Sequence, residues 1–565
     1  MKSELQQIED RNSEPSINLA LDTLLIKKQC IIFVNTKRSA EGLGEKISQI
    51  ISKDKKHHYQ SNIDLEKLNI LSSQILKALP VATKQCHRLS DLSKYGIAFH
   101  HSGLVTEQRK MIEDGFRLGL IKIIVATPTL AMGVDLPAFR VIIRDLKRFG
   151  NWGMQYIPVL EYEQQAGRAG RPSYDTHGEA ICIADDKSEK LEIKETYLKG
   201  VPEPIISKLA VEPIMRTYIL SLIASEFIRT TGELEEFFEE TFYAKHYGDT
   251  DKLKKIIHRM VEQLEEWGFI TIGDGDKGAK TTEKPTDFVT ALKLAYRKSD
   301  KAENSKDSEN SDDKLSATLL GHRVSELYLD PYTAHNIIES LKVAMKKNDD
   351  KLLNDYSLTH LICTCLELRP LLRVKSKEID DIQEIISLNS EYLLTEIPEM
   401  FDEDYEDFLC SIKTAEFFIG WLNEKDEEFL LEKYDVRPGE LHAKKERADW
   451  LIYSAEELAK LLKMQTLIKH LAKLRFRLKY GAKEELIPLL QLKNIGRIRA
   501  RKLFDNKIRD VAELKKADLT TLTQLLGKSI ALDIKEQVGQ ELSEDKIQVK
   551  ENKRKGQINL NDYGE

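Results

Sequence analysis

Long apolar runs are missing from this sequence of 565 residues. The most hydrophobic stretches are short, such as Cys30 to Val34, and none approaches the ~20 residues that a membrane-spanning helix needs. A membrane protein is therefore not expected. The polar, acidic start from Met1 to Glu14 holds no apolar core of a secretion signal, so a cytoplasmic location is expected. Cysteine is scarce: six residues, scattered, which excludes a disulfide scaffold and agrees with a reducing compartment. Cys363 and Cys365 form the one close pair. Without a second cysteine or histidine pair at ligand spacing, they are expected to be buried thiols, and no metal site is expected.

What is present is charge and helical periodicity. With 41% hydrophobic and 32% charged residues, the composition is that of a globular chain, long enough for several domains at ~100 to 200 residues each. The net charge of −7 hides an asymmetry. Residues 391–440 hold 16 acidic against 4 basic side chains, and residues 460–509 hold 15 basic against 3 acidic ones. The acidic run reads equally well as a solvated helix face. The basic run interleaves Phe476, Tyr480 and Phe504, a composition suited to nucleic acid.

Five short β-branched runs alternate with helical stretches between about Ile31 and Asp185: Ile31–Val34, Gly96–His100, Ile121–Ala126, Val141–Arg144 and Ala180–Ile183. This alternation predicts a parallel α/β sheet. After Pro202 and Pro204 helices dominate, except near Trp267–Ile272 and Leu315–Leu329, which read as two strands of a wing around a polar excursion. The excursion, about 274–314, has too few apolar residues to offset its ordering entropy and is expected to be flexible.

The chemistry concentrates in Gln164-Gln165-Ala166-Gly167-Arg168-Ala169-Gly170-Arg171. Phosphoryl transfer calls for positive charge placed where charge spreads on phosphate oxygens. Arg168 and Arg171, three apart beside Gly167 and Gly170, are expected on one face of a helix start. Upstream, the buried run Ile124–Ala126 leads into Thr127 and on to Gly133-Val134-Asp135, a loop at the carboxyl end of a parallel strand, where such sheets bind ligands. Further upstream lie Asn35-Thr36-Lys37-Arg38 and His100-His101-Ser102-Gly103-Leu104.

These four blocks, in this order, resemble motifs IV, IVa, V and VI of superfamily-two helicases. Gln-x-x-Gly-Arg-Ala-Gly-Arg with His-His-Ser-Gly-Leu is similar to the Ski-two-like branch, and within it to the archaeal DNA helicase family related to the helicase domain of polymerase theta. The resemblance implies an α/β RecA-like parallel-sheet domain followed by a winged helix, an all-α ratchet domain and a helix-hairpin-helix domain. The expected boundaries are 1–29 for an N-terminal extension, 30–200 for the second RecA-like domain, 201–329 for the winged helix, 330–480 for the ratchet, 481–540 for the helix-hairpin-helix and 541–565 for a mobile tail.

Carried over residue by residue, the resemblance makes Arg168 and Arg171 arginine fingers, with Gln164 as their polar companion. Gly133 and Asp135 become the motif linking nucleotide to motor closure, and Thr36, Arg38 and Thr127 become contacts to the nucleic-acid backbone. Arg148 to Val159 reads as a hairpin whose glycines and Asn151 form the turn, flanked by Phe149, Trp152 and Tyr156. In the family this hairpin wedges the duplex apart, so Trp152, Phe149 or Tyr156 is expected to stack on the last base pair. Ala448-Asp449-Trp450 resembles the ratchet signature, with Trp450 stacking on a base and Lys444 and Arg447 beside it. Leu492 to Leu503 reads as a helix-hairpin-helix turn. Gly496 would allow the tight turn, helix amides would hold a phosphate, and Arg497, Arg499 and Arg501 would add charge. Gln557 to Tyr563 resembles a sliding-clamp-binding peptide.

The Gly-x-x-x-x-Gly-Lys-Thr/Ser and Asp-Glu boxes of a first motor domain do not occur. The expectation is the rear portion of a 3'-5' DNA helicase acting on single-stranded and forked DNA in replication and repair. ATP and Mg2+ would be held mainly by a first RecA-like domain on a partner polypeptide, without which hydrolysis is negligible. An exosome-type RNA helicase and a non-enzymatic DNA-binding remnant are the alternatives.

Overall fold

The computed structural model describes residues 7–54, 59, 64–150, 153–170, 175–209, 211–248, 250–273, 313–346 and 353–539. Two compact units emerge, Met1–Lys208 with Glu427–Lys444, and Leu209–Asp426 with Lys445–Glu565. Among the described residues, no helix is long and apolar enough to cross a membrane.

The first unit opens with α1 (Pro15–Leu25) and β1 (Cys30–Phe33), followed by α2 (Lys37–Lys53), α3 (Leu65–Lys77) and α4 (Lys84–Ser93). Next come β2 (Ile97–His100), α5 (Thr106–Arg117), β3 (Ile123–Ala126) and β4 (Arg140–Ile143). The hairpin strands β5 (Lys147–Gly150) and β6 (Gly153–Tyr156) lead into α6 (Val159–Ala166), β7 (Glu179–Cys182) and α7 (Lys187–Ile193). Five strands form one parallel sheet in the order β2-β3-β1-β4-β7. Strands β1 to β4 are buried along their whole length, which is why their sequences are near-continuous apolar runs rather than alternating ones, broken only by His100 at the end of β2 and Arg140 at the start of β4. All five strands fall on the runs predicted for them. The segment before β1 is more than an extension: Ile17, Ala20, Leu21 and Leu24 of α1 enter the sheet core. Beneath them the buried Arg140 guanidinium is matched by Asp22 at 2.8 Å and Glu179 at 2.7 Å, the pairing a buried cation requires.

In the second unit, helices Glu212–Ala224, Thr231–Glu239 and Thr250–Glu266 precede an antiparallel pair, β8 (Ile270–Ile272) and β9 (Leu315–Ala317). The second wing strand expected over Leu315–Leu329 is therefore corrected. It stops at Ala317, where Thr318 accepts a hydrogen bond from the Gly321 amide and starts a helix, Leu319–Glu326. The polar excursion lies, up to residue 312, outside the described residues. Beyond it Asp355–Cys363 packs on Tyr405–Leu422, and short helices from Ile487 to Gln537 enclose a separate core of Leu489, Leu503, Leu514, Leu522 and Ile534.

Candidate nucleotide and nucleic-acid site

Loops at the carboxyl edge of the parallel sheet bring the motif residues together. Thr127 follows β3, and its amide donates to the His100 carbonyl at 3.1 Å, so the ends of β2 and β3 are tied. The loop then passes Gly133, whose φ of +92° suits glycine, and reaches Asp135, whose side chain is 94% exposed. Arg168 points into this loop. Its guanidinium donates to the Ala131 carbonyl at 2.5 Å and approaches Asp135 at 3.4 Å. An ion pair to so exposed a carboxylate is worth little, so the guanidinium can exchange that partner for a stronger anion.

The expected helix start at Arg168 is corrected. Gly167 caps the carboxyl end of α6, and Arg168 sits in the turn beyond it. There the Ala138 amide donates to the Arg168 carbonyl at 2.9 Å and the Gly170 amide to the Ala138 carbonyl at 2.7 Å. The helix that ends here carries no anion-attracting dipole for a ligand at Arg168, so the positive charge must come from the side chain itself. Gly170 and Gly178 make a close backbone approach. A Cβ on Gly178 would lie 2.2 Å from the Gly170 nitrogen, so two backbones pack where side chains cannot fit. Gln164 is exposed on the last turn of α6. Arg171 lies outside the described residues.

The hairpin β5–β6 carries Phe149, 82% exposed, and Met154 on its outer part. Tyr156, at the base of the hairpin, is engaged within the unit. Its hydroxyl donates to Glu192 at 2.8 Å, and Lys147, paired with Glu189, lies 4.6 Å over its ring. Trp152 lies outside the described residues.

A buried cluster beside β2 was not foreseen. Glu41 on α2 accepts from Arg437 at 3.1 Å, pairs with Arg88, and lies 3.2 Å from His101. Burial pushes the Glu41 carboxyl up, but His101, Arg437 and Arg88 overcome that and bring it down to about 2. Burial holds His101 below the usual histidine range despite Glu41. The backbones interlock as well: the Gly439 amide donates to the Gly103 carbonyl at 3.1 Å, and a Cβ on Gly103 would lie 2.3 Å from the Arg437 side chain. The His-His-Ser-Gly motif thus seats residues 437–439. Arg38 is exposed and bonded to Asp435 at 2.8 Å, Lys37 pairs with Glu440, and exposed Thr36 caps α2 through the Ser39 amide.

In the second unit, Trp450 is half-buried and its indole N–H donates to the Leu327 carbonyl at 3.0 Å. Exposed Arg447 donates to the Arg369 carbonyl at 2.5 Å. Lys444, on the same helix Pro438–Leu461, belongs to the first unit. The turn before Arg497–Asp505 is corrected in detail. Asn494 takes the left-handed conformation, φ +64°, while Gly496 is extended at −95° and caps the helix. Arg497 stacks over Trp421 at 4.2 Å and donates to the Lys425 carbonyl. Arg501 is held by Glu424 at 2.5 Å and Glu485 at 2.7 Å. Arg499 is exposed, donating to the Asn494 carbonyl at 2.8 Å. The clamp-like peptide Gln557–Tyr563 lies outside the described residues. Among the described residues no group of three or more His, Cys, Asp or Glu side chains is placed to hold a metal ion.

Residues 45–173 match the helicase conserved C-terminal domain, and residues 356–481 match domain 4 of archaeal helicases. The ATP-dependent DNA helicase Hel308 of Methanocella arvoryzae is 34% identical over 549 residues, which cover 96% of this chain and 67% of that protein. The chain belongs to the Hel308 family. The Hel308 helicase of Pyrococcus horikoshii is 35% identical over 546 residues, 96% of this chain and 67% of that protein. That of Methanococcus vannielii is 40% identical over 531 residues, 91% and 66% respectively. The chain spans about two thirds of the length of these Hel308 relatives.

Proposed function

We propose that the chain forms the second RecA-like half of a motor and the DNA-tracking part of an ATP-dependent DNA helicase, moving 3' to 5' and acting on forked or branched DNA in replication and repair. The observation that carries this reading is Arg168, held at the carboxyl edge of the parallel sheet by the Ala131 carbonyl and only weakly by exposed Asp135. That placement suits a guanidinium that meets phosphate oxygens when a motor closes. Arg171 and Gln164 complete the contact, and Gly133 with Asp135 relays it. ATP and Mg2+ would be held mainly by a first RecA-like domain on another polypeptide, supplying the phosphate-binding and magnesium boxes that do not occur in this sequence.

DNA contacts follow the same reading. Thr36, Arg38 and Thr127 touch the strand's backbone, and Trp152 and exposed Phe149 on the hairpin meet the last base pair. Trp450 with Lys444 and Arg447 meets a base in a ratchet domain. Residues 201–329 form a winged helix, and Gly496 and Arg499 form a helix-hairpin-helix contact to phosphates, with Arg497 over Trp421 and Arg501 between Glu424 and Glu485 holding the turn in place. Gln557–Tyr563 would bind a sliding clamp. The test is reconstitution. The purified chain should bind fork DNA with negligible ATPase, and adding the first motor domain of a Hel308 relative should restore DNA-stimulated hydrolysis. Arg168→Ala should then lower the rate roughly 1000-fold with fork affinity unchanged. Vigorous hydrolysis by the chain alone, or an indifferent Arg168→Ala, defeats the proposal.

A further inference from the structure

Two residues, Ile157 and Pro158, join the end of the hairpin to the start of α6, the helix that leads to Arg168. The joint is tied on one side by the Ile157 amide, which donates to the Leu146 carbonyl at 2.9 Å, and Arg148 of β5 pairs with Glu161 of α6 at 2.9 Å. Residues 194–203 pass across the joint. Lys194–Leu198 is a single π-helical turn, a rare conformation that recurs at functional positions. Tyr197, its fourth residue, is buried, and its hydroxyl donates to the Ile157 carbonyl at 2.8 Å. The same ring packs edge-on to Tyr156 of β6 at 6.2 Å and against Tyr162 of α6 at 4.8 Å. One side chain thus touches hairpin, joint and helix.

The chain then turns at Gly200, where a Cβ would lie 1.8 Å from the Thr196 carbonyl oxygen, so a glycine is needed for the path. Three residues later the Glu203 carboxylate accepts from the Val159 amide at 2.7 Å and the Leu160 amide at 3.2 Å. These are first-turn amides without partners inside the helix, and they favour an anion there. Their bonds hold the Glu203 carboxyl below its usual range.

We propose that residues 194–203 are a strap that makes the hairpin and α6, the helix that leads to Arg168, one rigid lever, with Tyr197 and Glu203 as its positioning residues. The strap lets a displacement at Arg168 reach the hairpin without being absorbed at the joint. The lever rests on the reading of the hairpin as the duplex-separating element.

Hydrogen exchange on the full chain tests the strap. Tyr197→Phe, which keeps the ring and removes the hydroxyl, should speed exchange across 147–156 at least tenfold and leave β1 to β4 unchanged. Glu203→Ala should strip protection from the Val159 and Leu160 amides. Unchanged exchange in both variants, or a loss spread equally over the sheet, overturns the strap. Fork DNA with 2-aminopurine at the junction tests the lever. The wild-type chain should raise its fluorescence, and Tyr197→Phe should cut that rise at least threefold with single-strand affinity kept within twofold. An equal rise in the variant overturns the lever. No rise even with the wild-type chain defeats the hairpin reading and the lever with it, while the strap still stands or falls on exchange.

Discussion

Arg437 and Glu41 meet at 3.1 Å although 396 residues separate them in the chain. Both side chains are almost wholly buried, 8% and 5% exposed, and Arg88 and His101 complete the surroundings of the carboxylate. Removing one member of a buried charge cluster leaves the others uncompensated, which costs more than the pair contributes. The cluster is therefore a sensitive point of the first unit.

Acid should reveal it. With the Glu41 carboxyl at about 2 against an ordinary 4.5, its contribution is present above pH 4.5 and is lost as pH falls from there towards 2. His101, also held low, adds a loss that begins as pH drops below about 6.5. Glu41→Gln should lower unfolding free energy at pH 7 by roughly 3 kcal/mol, and the gap to wild type should narrow below pH 4.5. Urea titrations from pH 7 to pH 3 measure this. A gap independent of pH would remove the electrostatic explanation.

Gly439→Ala should destabilise the first unit by about 1 to 3 kcal/mol. Its Cβ would lie 2.4 Å from the Leu104 carbonyl oxygen and 2.6 Å from that of Ser102. Those atoms belong to the backbone and cannot rotate away. Gly42→Ala, where a Cβ meets nothing within 4 Å, serves as the control and should be neutral or slightly stabilising within a helix. Equal midpoints in urea for both variants would contradict the packing argument.

Arg499 and Arg501 should separate cleanly although two residues apart. Arg499→Ala should weaken DNA binding and reduce the slope of log affinity against log salt by about 1. Arg501→Ala removes the partner of Glu424 and Glu485, so it should lower the melting temperature and leave the salt slope nearly intact. Fluorescence anisotropy on fork DNA at several salt concentrations, with calorimetry, distinguishes them. Identical salt slopes for the two variants would show that exposure does not decide which arginine meets phosphate.

The sheet was legible because parallel strands buried on both faces are near-continuous apolar runs, and Ile31–Val34 and Ile123–Ala126 are short, β-branched and spaced by helical stretches. The hairpin was legible from glycines around Asn151, and strands β5 and β6 bear it out. The second wing strand was misread because Leu319, Leu320, Val324 and Leu327 are apolar in either conformation, and the Thr318 cap decided for helix. Arg168 was expected at a helix start because Gly-Arg-Ala-Gly-Arg has no local signal for direction. That Gly167 ends one helix rather than opening the next is decided by the bridge that Arg168 and Gly170 make with Ala138, two residues before β4.

Local patterns, periodicity and turn residues were enough to place the parallel sheet, the hairpin and the run of helices, since each depends on neighbours a few positions away. Family motifs located the loops at the sheet's carboxyl edge. Only the tertiary structure decided which charges lie buried together. Nothing near Glu41 in the chain announces Arg437, and nothing near Arg501 announces Glu424. An ion pair's partner is set by which surfaces meet, and its strength by how much water their meeting removes.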